Sequence, residues 1–379
     1  MKGITKKLLC TVFAAVCLLL GAAGAADMAA GGNISVIEGE APYAPAYTSY
    51  GYGDEKTATV SVFGIPIKNV SVSVLKKSEV IAGGQSFGVK LKTKGVIISG
   101  VGTVETDYGE ICPARDAGLC EDDVILEVNG EEITSSKQFT DMIKCGGGKA
   151  LDIRYRRGET EQMTTLYPAC DLDGEYKAGL WVRDSAAGIG TLTYIIPKTN
   201  GFGGLGHGIC DAATGQLLPF VSGEVYDAKI TGVKRGKNGE PGELRGYFEK
   251  EPSGTLTGNS EVGVFGTLDK APEGRLVQIA LKDKVREGDV KILCTVDDSG
   301  AGEYSAKIVK ILSYDGKTKN FIIKVTDPEL IRKTGGIVQG MSGSPILQDG
   351  RLIGAVTHVL VNDPSRGYGI FIENMLENN

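Results

Sequence analysis

Gly340-Met341-Ser342-Gly343-Ser344-Pro345, with the Ile346-Leu347-Gln348-Asp349-Gly350-Arg351-Leu352-Ile353-Gly354-Ala355-Val356 that follows, decides how this chain is read. A glycine two residues ahead of Ser342 and another directly after it let the backbone turn tightly. Such a turn aims the amides of Gly340 and Ser342 at one point, where the oxyanion of a tetrahedral intermediate would sit. Pro345 to Leu347, the turn Gln348-Asp349-Gly350, and Leu352 to Val356 read as a strand, a tight turn and a second strand. Serine between glycines is common in ordinary turns, and it is the attached hairpin that marks Ser342 as a candidate nucleophile. The same hairpin argues against an acyl-hydrolase elbow, in which a helix follows the serine.

A serine nucleophile needs a base, and the chain has only 2 histidines, His207 and His358. His207 follows the strand-like run Thr191 to Ile196 and sits in Gly204-Leu205-Gly206-His207-Gly208, a loop able to swing toward a serine. It is the expected base. His358 lies in the second strand of the Ser342 hairpin and is the alternative. A carboxylate must then orient the imidazole. Asp327, Asp211 and Asp363 are candidates by position. The order His207, Asp327, Ser342 is one of the known triad orders, but the gap from Asp327 to Ser342 is too short to hold several strands. Asp327-Pro328 also reads as an ordinary turn starter.

The Ser342 loop and hairpin resemble the Gly-Asp-Ser-Gly-Gly-Pro region of chymotrypsin-like proteases. By that comparison, Thr357 and His358 line the cleft where substrate backbone lies. A longer set of motifs resembles the SpoIVB-type sporulation serine peptidases: Gly335-Gly336-Ile337-Val338-Gln339 leading into Gly340, Gly354-Ala355-Val356-Thr357-His358-Val359, Val361-Asn362-Asp363-Pro364 with Gly367-Tyr368-Gly369, and Gly206-His207-Gly208. That resemblance implies His207 as base, Ser342 as nucleophile and Asp327 as acidic partner. It further implies cleavage of a membrane-associated regulatory protein between the mother cell and forespore membranes. That cut would release an intramembrane protease and so activate a late sigma factor; cleavage of the chain by itself, in its linker, is also implied.

Gln85-Ser86-Phe87-Gly88-Val89-Lys90-Leu91 opens a segment that resembles a bacterial PDZ domain, as do Pro113 to Leu119 and Asp122 to Gly130. Phe139, Met142 and Ile143 are spaced for one face of a helix from Ser135 to Cys145, capped by Ser135 or Ser136. Leu151 to Arg156 then alternates as a strand. In such a domain a peptide or C-terminus adds as an extra strand, and loop amides hold its carboxylate. By resemblance that loop is Ser86-Phe87-Gly88-Val89; Phe87 has an equal claim to be a core aromatic.

Glycine, 55 of 379 residues, dispersed among short β-branched runs, indicates many turns and little helix. The expected fold is mainly β, a chymotrypsin-like double β-barrel peptidase domain (169–379) preceded by a small α+β PDZ domain (78–168). A linker and N-terminal segment would fill 27–77, with the stretch after Asp27 through Lys56 read as linker. Met1 to Ala26 reads as a signal peptide or anchor: Lys2, Lys6 and Lys7 precede a charge-free run from Leu8 to Ala26, with Ala23-Gly24-Ala25 as a cleavage site. The chain is therefore expected outside the cytoplasm. Of 8 cysteines, Cys10 and Cys17 lie in this leader. Cys112, Cys120, Cys145, Cys170, Cys210 and Cys294 follow with no spacing that selects a disulfide pattern, and Cys210 reads as a small buried residue or a brace for the His207 loop. Without a Cys-x-x-Cys pair, and with two histidines, no metal and no cofactor are expected. A net charge of −6 gives no reason to expect nucleic acid. Gly201-Phe202-Gly203-Gly204-Leu205-Gly206 has dinucleotide-loop spacing but lacks the helix that must follow. The rival to an exported peptidase is an exported PDZ adaptor with an inactive protease-like domain. Against that rival stand the nucleophile, the candidate base and the oxyanion glycine, all present.

Overall fold

The computed structural model of the protein describes residues 33–37, 48–52, 57–62, 65–75 and 79–377, apart from 212–214 and 315. The leader lies outside the described residues. The stretch 27–77, expected to be a linker and an N-terminal segment, contains a four-stranded sheet. In it Ile65–Leu75 is flanked by Asn33–Ile37, parallel, and Thr57–Val62, antiparallel, with Thr48–Tyr52 on the outer edge. Ala58, Val60, Val70 and Val72 are buried on one face. Thr57-Ala58-Thr59-Val60-Ser61-Val62 has the period-2 alternation of a half-buried strand.

Two closed six-stranded barrels follow. The first joins β1 (Ser86–Val101), β5 (Leu180–Ile195), β6 (Gly201–Gly204), β9 (Gly263–Leu268), β8 (Glu243–Ser260) and β7 (Phe220–Lys234), which returns to β1. The second joins β10 (Gly288–Thr295), β11 (Ala301–Ile311), β12 (Phe321–Val325), β15 (Asp363–Phe371), β14 (Arg351–Leu360) and β13 (Pro345–Gln348). Each barrel is filled by the inward residues of alternating strands. In the first these include Phe87, Val89, Leu192, Phe202, Val225 and Val264; in the second, Ile292, Ile308, Phe321, Ile323, Ile346 and Val356.

The PDZ-like module is inserted into the first barrel and does not precede it. β1 is 16 residues long, or roughly 50 Å at the usual strand rise, enough to serve two sheets. Its first half belongs to the barrel, where Ser86 to Lys92 pair with Thr191 to Ser185 of β5. Gly95, at φ +78°, turns the strand, and Ile97 to Val101 pair with Arg183 to Leu180 at the other end of β5. Between the end of β1 at Val101 and the start of β5 at Leu180 lie α1 (Pro113–Asp116), β2 (Val124–Val128), α2 (Ser136–Cys145), β3 (Leu151–Arg157) and β4 (Thr160–Leu166). They close over a core of Val96, Ile98, Leu119, Ile125, Phe139, Ile143 and Ile153. Ser135 caps α2 as expected, accepting from the Gln138 amide.

This arrangement corrects two expectations. The boundary at 168/169 falls inside the insertion, because residues 86–92 are part of the peptidase barrel. Ser86-Phe87-Gly88-Val89 is also no carboxylate-binding loop. Phe87 and Val89 are buried in the barrel core, with Phe87 edge-on to Phe202 at 5.8 Å. Strand addition needs an unpaired edge, and here β5 and β7 occupy both edges of the segment. The six cysteines after the leader are free, and Cys210 is exposed, so it neither braces its loop by a disulfide nor fills the core. Gly201–Gly204 is a barrel strand and not the turn that opens a helix.

Candidate active site

Asp327 opens the approach to the serine. Its carboxylate caps α3 (Pro328–Thr334), accepting from the amides of Glu329 and Leu330 with one oxygen and from Ser305 with the other. Gly335, left-handed at φ +79°, ends that helix. The chain then runs through Ile337 and Val338 in the barrel core to the Ser342 turn, where Gly340 and Gly343 have φ of +97° and +95°.

This turn is fixed to the first barrel by a strand 150 residues earlier in the chain. Thr191 Oγ1 donates to the Gly340 carbonyl at 2.8 Å, the Thr191 amide to Ser342 O at 2.9 Å, and Thr193 Oγ1 to Gly343 O at 2.7 Å. A Cβ at Gly343 would lie 2.0 Å from Thr191 O and 2.5 Å from Leu205 N, so this contact tolerates only glycine. Thr191 and Thr193 went unnoticed in the sequence. Their one signal there is two hydroxyls alternating along an apolar strand, Thr191-Leu192-Thr193.

The same contact brings in the histidine. Leu205 donates to Thr191 O at 3.3 Å. Leu205 and Gly206 are both left-handed, at φ +65° and +68°, and turn the chain toward the Ser342 hairpin. A Cβ on Gly206 would meet Thr357 Cγ2 at 3.0 Å. His207 consequently packs on His358, ring centroids 4.6 Å apart. Ser342 Oγ donates to Thr357 O at 2.6 Å. Ser342, Thr357, His358 and His207 therefore gather in the seam between the barrels. Among the described residues, the amides of Gly340 and Ser342 have no acceptor within the protein.

His207 Nδ1 lies 2.8 Å from the Gly208 carbonyl. A carbonyl only accepts, so Nδ1 carries the hydrogen and Nε2 keeps its lone pair. Burial pulls this imidazole below its ordinary pKa; the Gly208 bond opposes that and Lys319 adds to it. His358, though its side chain remains exposed on one side, is lowered to about 4 by the protein packed around it, then by His207 and Lys319. Both rings are thus neutral at pH 7.

None of the three acid candidates is brought to His207. Burial works against ionisation of Asp327, but the Leu330, Ser305 and Glu329 amides outweigh it and hold the carboxyl below its ordinary value. β12 separates Asp327 from Lys319, the charged residue that acts on both histidines. Asp327 is a helix cap, where the sequence read Asp327-Pro328 as an ordinary turn starter. Asp211 pairs with Arg183, and Asp363 binds Ser365 and Arg366.

Two six-stranded barrels with a serine turn and a histidine loop meeting at their seam define a chymotrypsin-like serine peptidase. The chain belongs to the SpoIVB peptidase S55 family, whose model matches residues 174–376. That match begins inside the inserted module, so β1 lies outside it.

Among curated proteins, the chain is similar to the zinc metalloprotease RasP of Oceanobacillus iheyensis, 34% identical over 114 residues, covering 27% of each chain. It is also similar to RasP of Shouchella clausii, 35% identical over 139 residues, covering 34% of this chain and 32% of that one. The chain thus spans about a third or less of these relatives. Among solved structures, the PDZ domain of an SdrC-like protein from Listeria monocytogenes is 27% identical, with TM-score 0.20, covering 24% of this chain and 87% of that one. The Rv3671c protease of M. tuberculosis in its active form is 16% identical, with TM-score 0.29, covering 51% and 72%.

Proposed function

We propose that this chain is an exported serine endopeptidase that cuts a membrane-associated regulatory protein, and itself, during endospore formation. The cut releases an intramembrane protease that activates a late sigma factor. The sporulation setting rests on the family to which the chain belongs. The chemistry rests on one observation, the gathering of Ser342, Thr357, His358 and His207 at the seam between the barrels beside two uncommitted amides.

In this reading Ser342 Oγ leaves Thr357 O and attacks the scissile carbonyl. His207 Nε2 takes the hydroxyl proton and later gives it to the leaving amine. The Gly340 and Ser342 amides hold the oxyanion, a contribution worth about 3 kcal/mol per donor. Thr357 and His358 form the wall along which the substrate backbone lies. The inserted module selects the protein substrate, with β4 as the outer strand of its sheet. An adaptor without activity would have no use for the nucleophile, base and amides kept together here.

S342A and H207A should each abolish proteolysis in a folded protein, and a fluorophosphonate should label the wild type at Ser342. Self-cleavage retained by the serine variant would sink this assignment. Mapping the self-cleavage fragments would report specificity as well.

A further inference from the structure

Three charged side chains from three separate stretches meet where the inserted module abuts the first barrel. Arg183 stands on β5, at the point where that strand passes from the module to the barrel. Asp211 lies on the segment beyond the His207 loop. It is buried, its amide donates to Gln216 O at 2.8 Å, and its carboxylate pairs with Arg183. Asp122 comes from the module, in the loop ahead of β2, and its carboxyl hydrogen-bonds to that of Asp211. The backbone aims it there, for Asp122 is left-handed at φ +70° and its amide donates to Ile98 O of β1 at 2.9 Å. The next residue, Asp123, is turned instead to Arg157. Two carboxyl groups can bond to one another only through a proton, because an ionised pair has no donor. Arg183 keeps Asp211 ionised, so the proton sits on Asp122.

We propose that Asp122, Asp211 and Arg183 form a proton-operated clasp between the inserted module and the barrel, closed while Asp122 carries its proton and open once that proton is lost. The clasp is independent of the roles given to Ser342 and His207. In the closed form the Asp122 hydroxyl donates to the Asp211 carboxylate, and Arg183 balances the one charge that remains. Loss of the proton sets two like charges in contact, with Glu121 as a third nearby, and a single guanidinium faces them all. Burial, Asp211 and Glu121 each raise the Asp122 carboxyl above its ordinary value, and Arg183 opposes them. Cys210, beside Asp211, is raised by burial, Asp211 and Glu261, so its thiol stays neutral throughout this range. The closed form binds the proton more tightly than the open one, and therefore gains as pH falls. It is complete below the ordinary aspartate value of about 3.9 and is lost as pH rises through the raised value. The module is thus seated on the barrel in acid and gives way at this contact toward neutral pH.

The chain carries its own reporter, because it has 1 tryptophan. Trp181 lies on β5 two residues from Arg183, its ring against Gly100 and Gly102. Tryptophan emission of the full chain is followed from pH 3 to 8. The wild type should show a one-proton step centred above about pH 3.9. In D122N the side-chain amide can donate to Asp211 at every pH, and asparagine suits a left-handed backbone. Its emission should stay at the low-pH value of the wild type. D122G also suits that backbone but has no donor, and should stay at the high-pH value. A wild-type curve without the step, or a step that survives in D122N and D122G, overturns the clasp. Should the variants not fold, hydrogen exchange of the wild type decides. Protection of the Asp211 and Leu218 amides, corrected for the intrinsic rate, should fall as pH rises. Protection that is constant from pH 4 to 8 overturns the proposal.

Discussion

The serine and histidine halves of the site are held in opposite ways. The Ser342 turn is pinned by two threonine hydroxyls, a backbone amide and a glycine with no room for a methyl group. The His207 loop is tied by one asparagine on one side and by a charged cluster on the other. In that cluster Asp211, four residues beyond His207, is buried and paired with Arg183 on the half of β5 that belongs to the inserted module. Asp122, in a loop of the module, also hydrogen-bonds to Asp211. Its carboxyl is raised by burial and by the Asp211 and Glu121 charges, against the pull of Arg183. The nucleophile is thus built into the seam, while the base sits on a segment that the inserted module touches. An activity that has to wait for its substrate is better controlled through the base, because moving the base leaves the barrel packing intact.

The sharpest break in this comparison is G343A. Its methyl group would overlap Thr191 O and Leu205 N, both backbone atoms that cannot step aside, and Gly343 already holds a left-handed φ. Separating the two barrels at this point should cost about 3–5 kcal/mol, at the upper end of single-substitution effects. Self-cleavage should be lost together with a large fall in melting temperature. A stable, active G343A would show the seam to be far looser than its contacts require.

R183M should have a smaller effect of a different kind. It keeps much of the apolar stem and removes the cation facing a buried carboxylate. With Arg183 itself partly open to water, the cost should be about 2 kcal/mol. Activity should change by more than that stability loss explains, because the lesion lies on the His207 loop. Comparing fluorophosphonate labelling with melting temperature in the same samples separates the two. A change in stability alone would mean that the module does not act on the histidine.

The two halves also differed in how far the sequence revealed them. The Ser342 turn and its hairpin are contiguous, so glycine spacing and period-2 alternation were enough to read them. The second barrel runs unbroken from Gly288 to Phe371. The first barrel is closed by β1 against β5 across the whole module, and no local pattern announces a pairing of that range. For the same reason Ser86-Phe87-Gly88-Val89, which looks like a peptide-binding loop, is a core strand. Asp327 shows the limit of order along the chain as evidence. It stands in the right sequence position for a triad acid, yet its neighbours Pro328 and Leu330 make it a helix cap. Asn259, whose side chain accepts from the Ile209 amide, had no signal at all, because its partner lies far away along the chain.

The smallest expected effect concerns charge and tests both halves together. Lys319 lowers the pKa of His207 and of His358, in each case after burial. K319E should raise both, and the acid limb of labelling at Ser342 should move up by less than one pH unit, toward the ordinary imidazole value of about 6.5. Stability carries the same sign. A histidine depressed in the folded state takes up its proton more readily once unfolded, so its stabilising contribution is complete above about pH 6.5. As pH falls from there toward the His358 value of about 4, that contribution is lost. Melting temperature should therefore decline across this window in the wild type and less steeply in H358Q and K319E. An acid limb in K319E that coincides with the wild type would mean that Lys319 does not act on the rings, leaving burial and the Gly208 carbonyl to set the base alone.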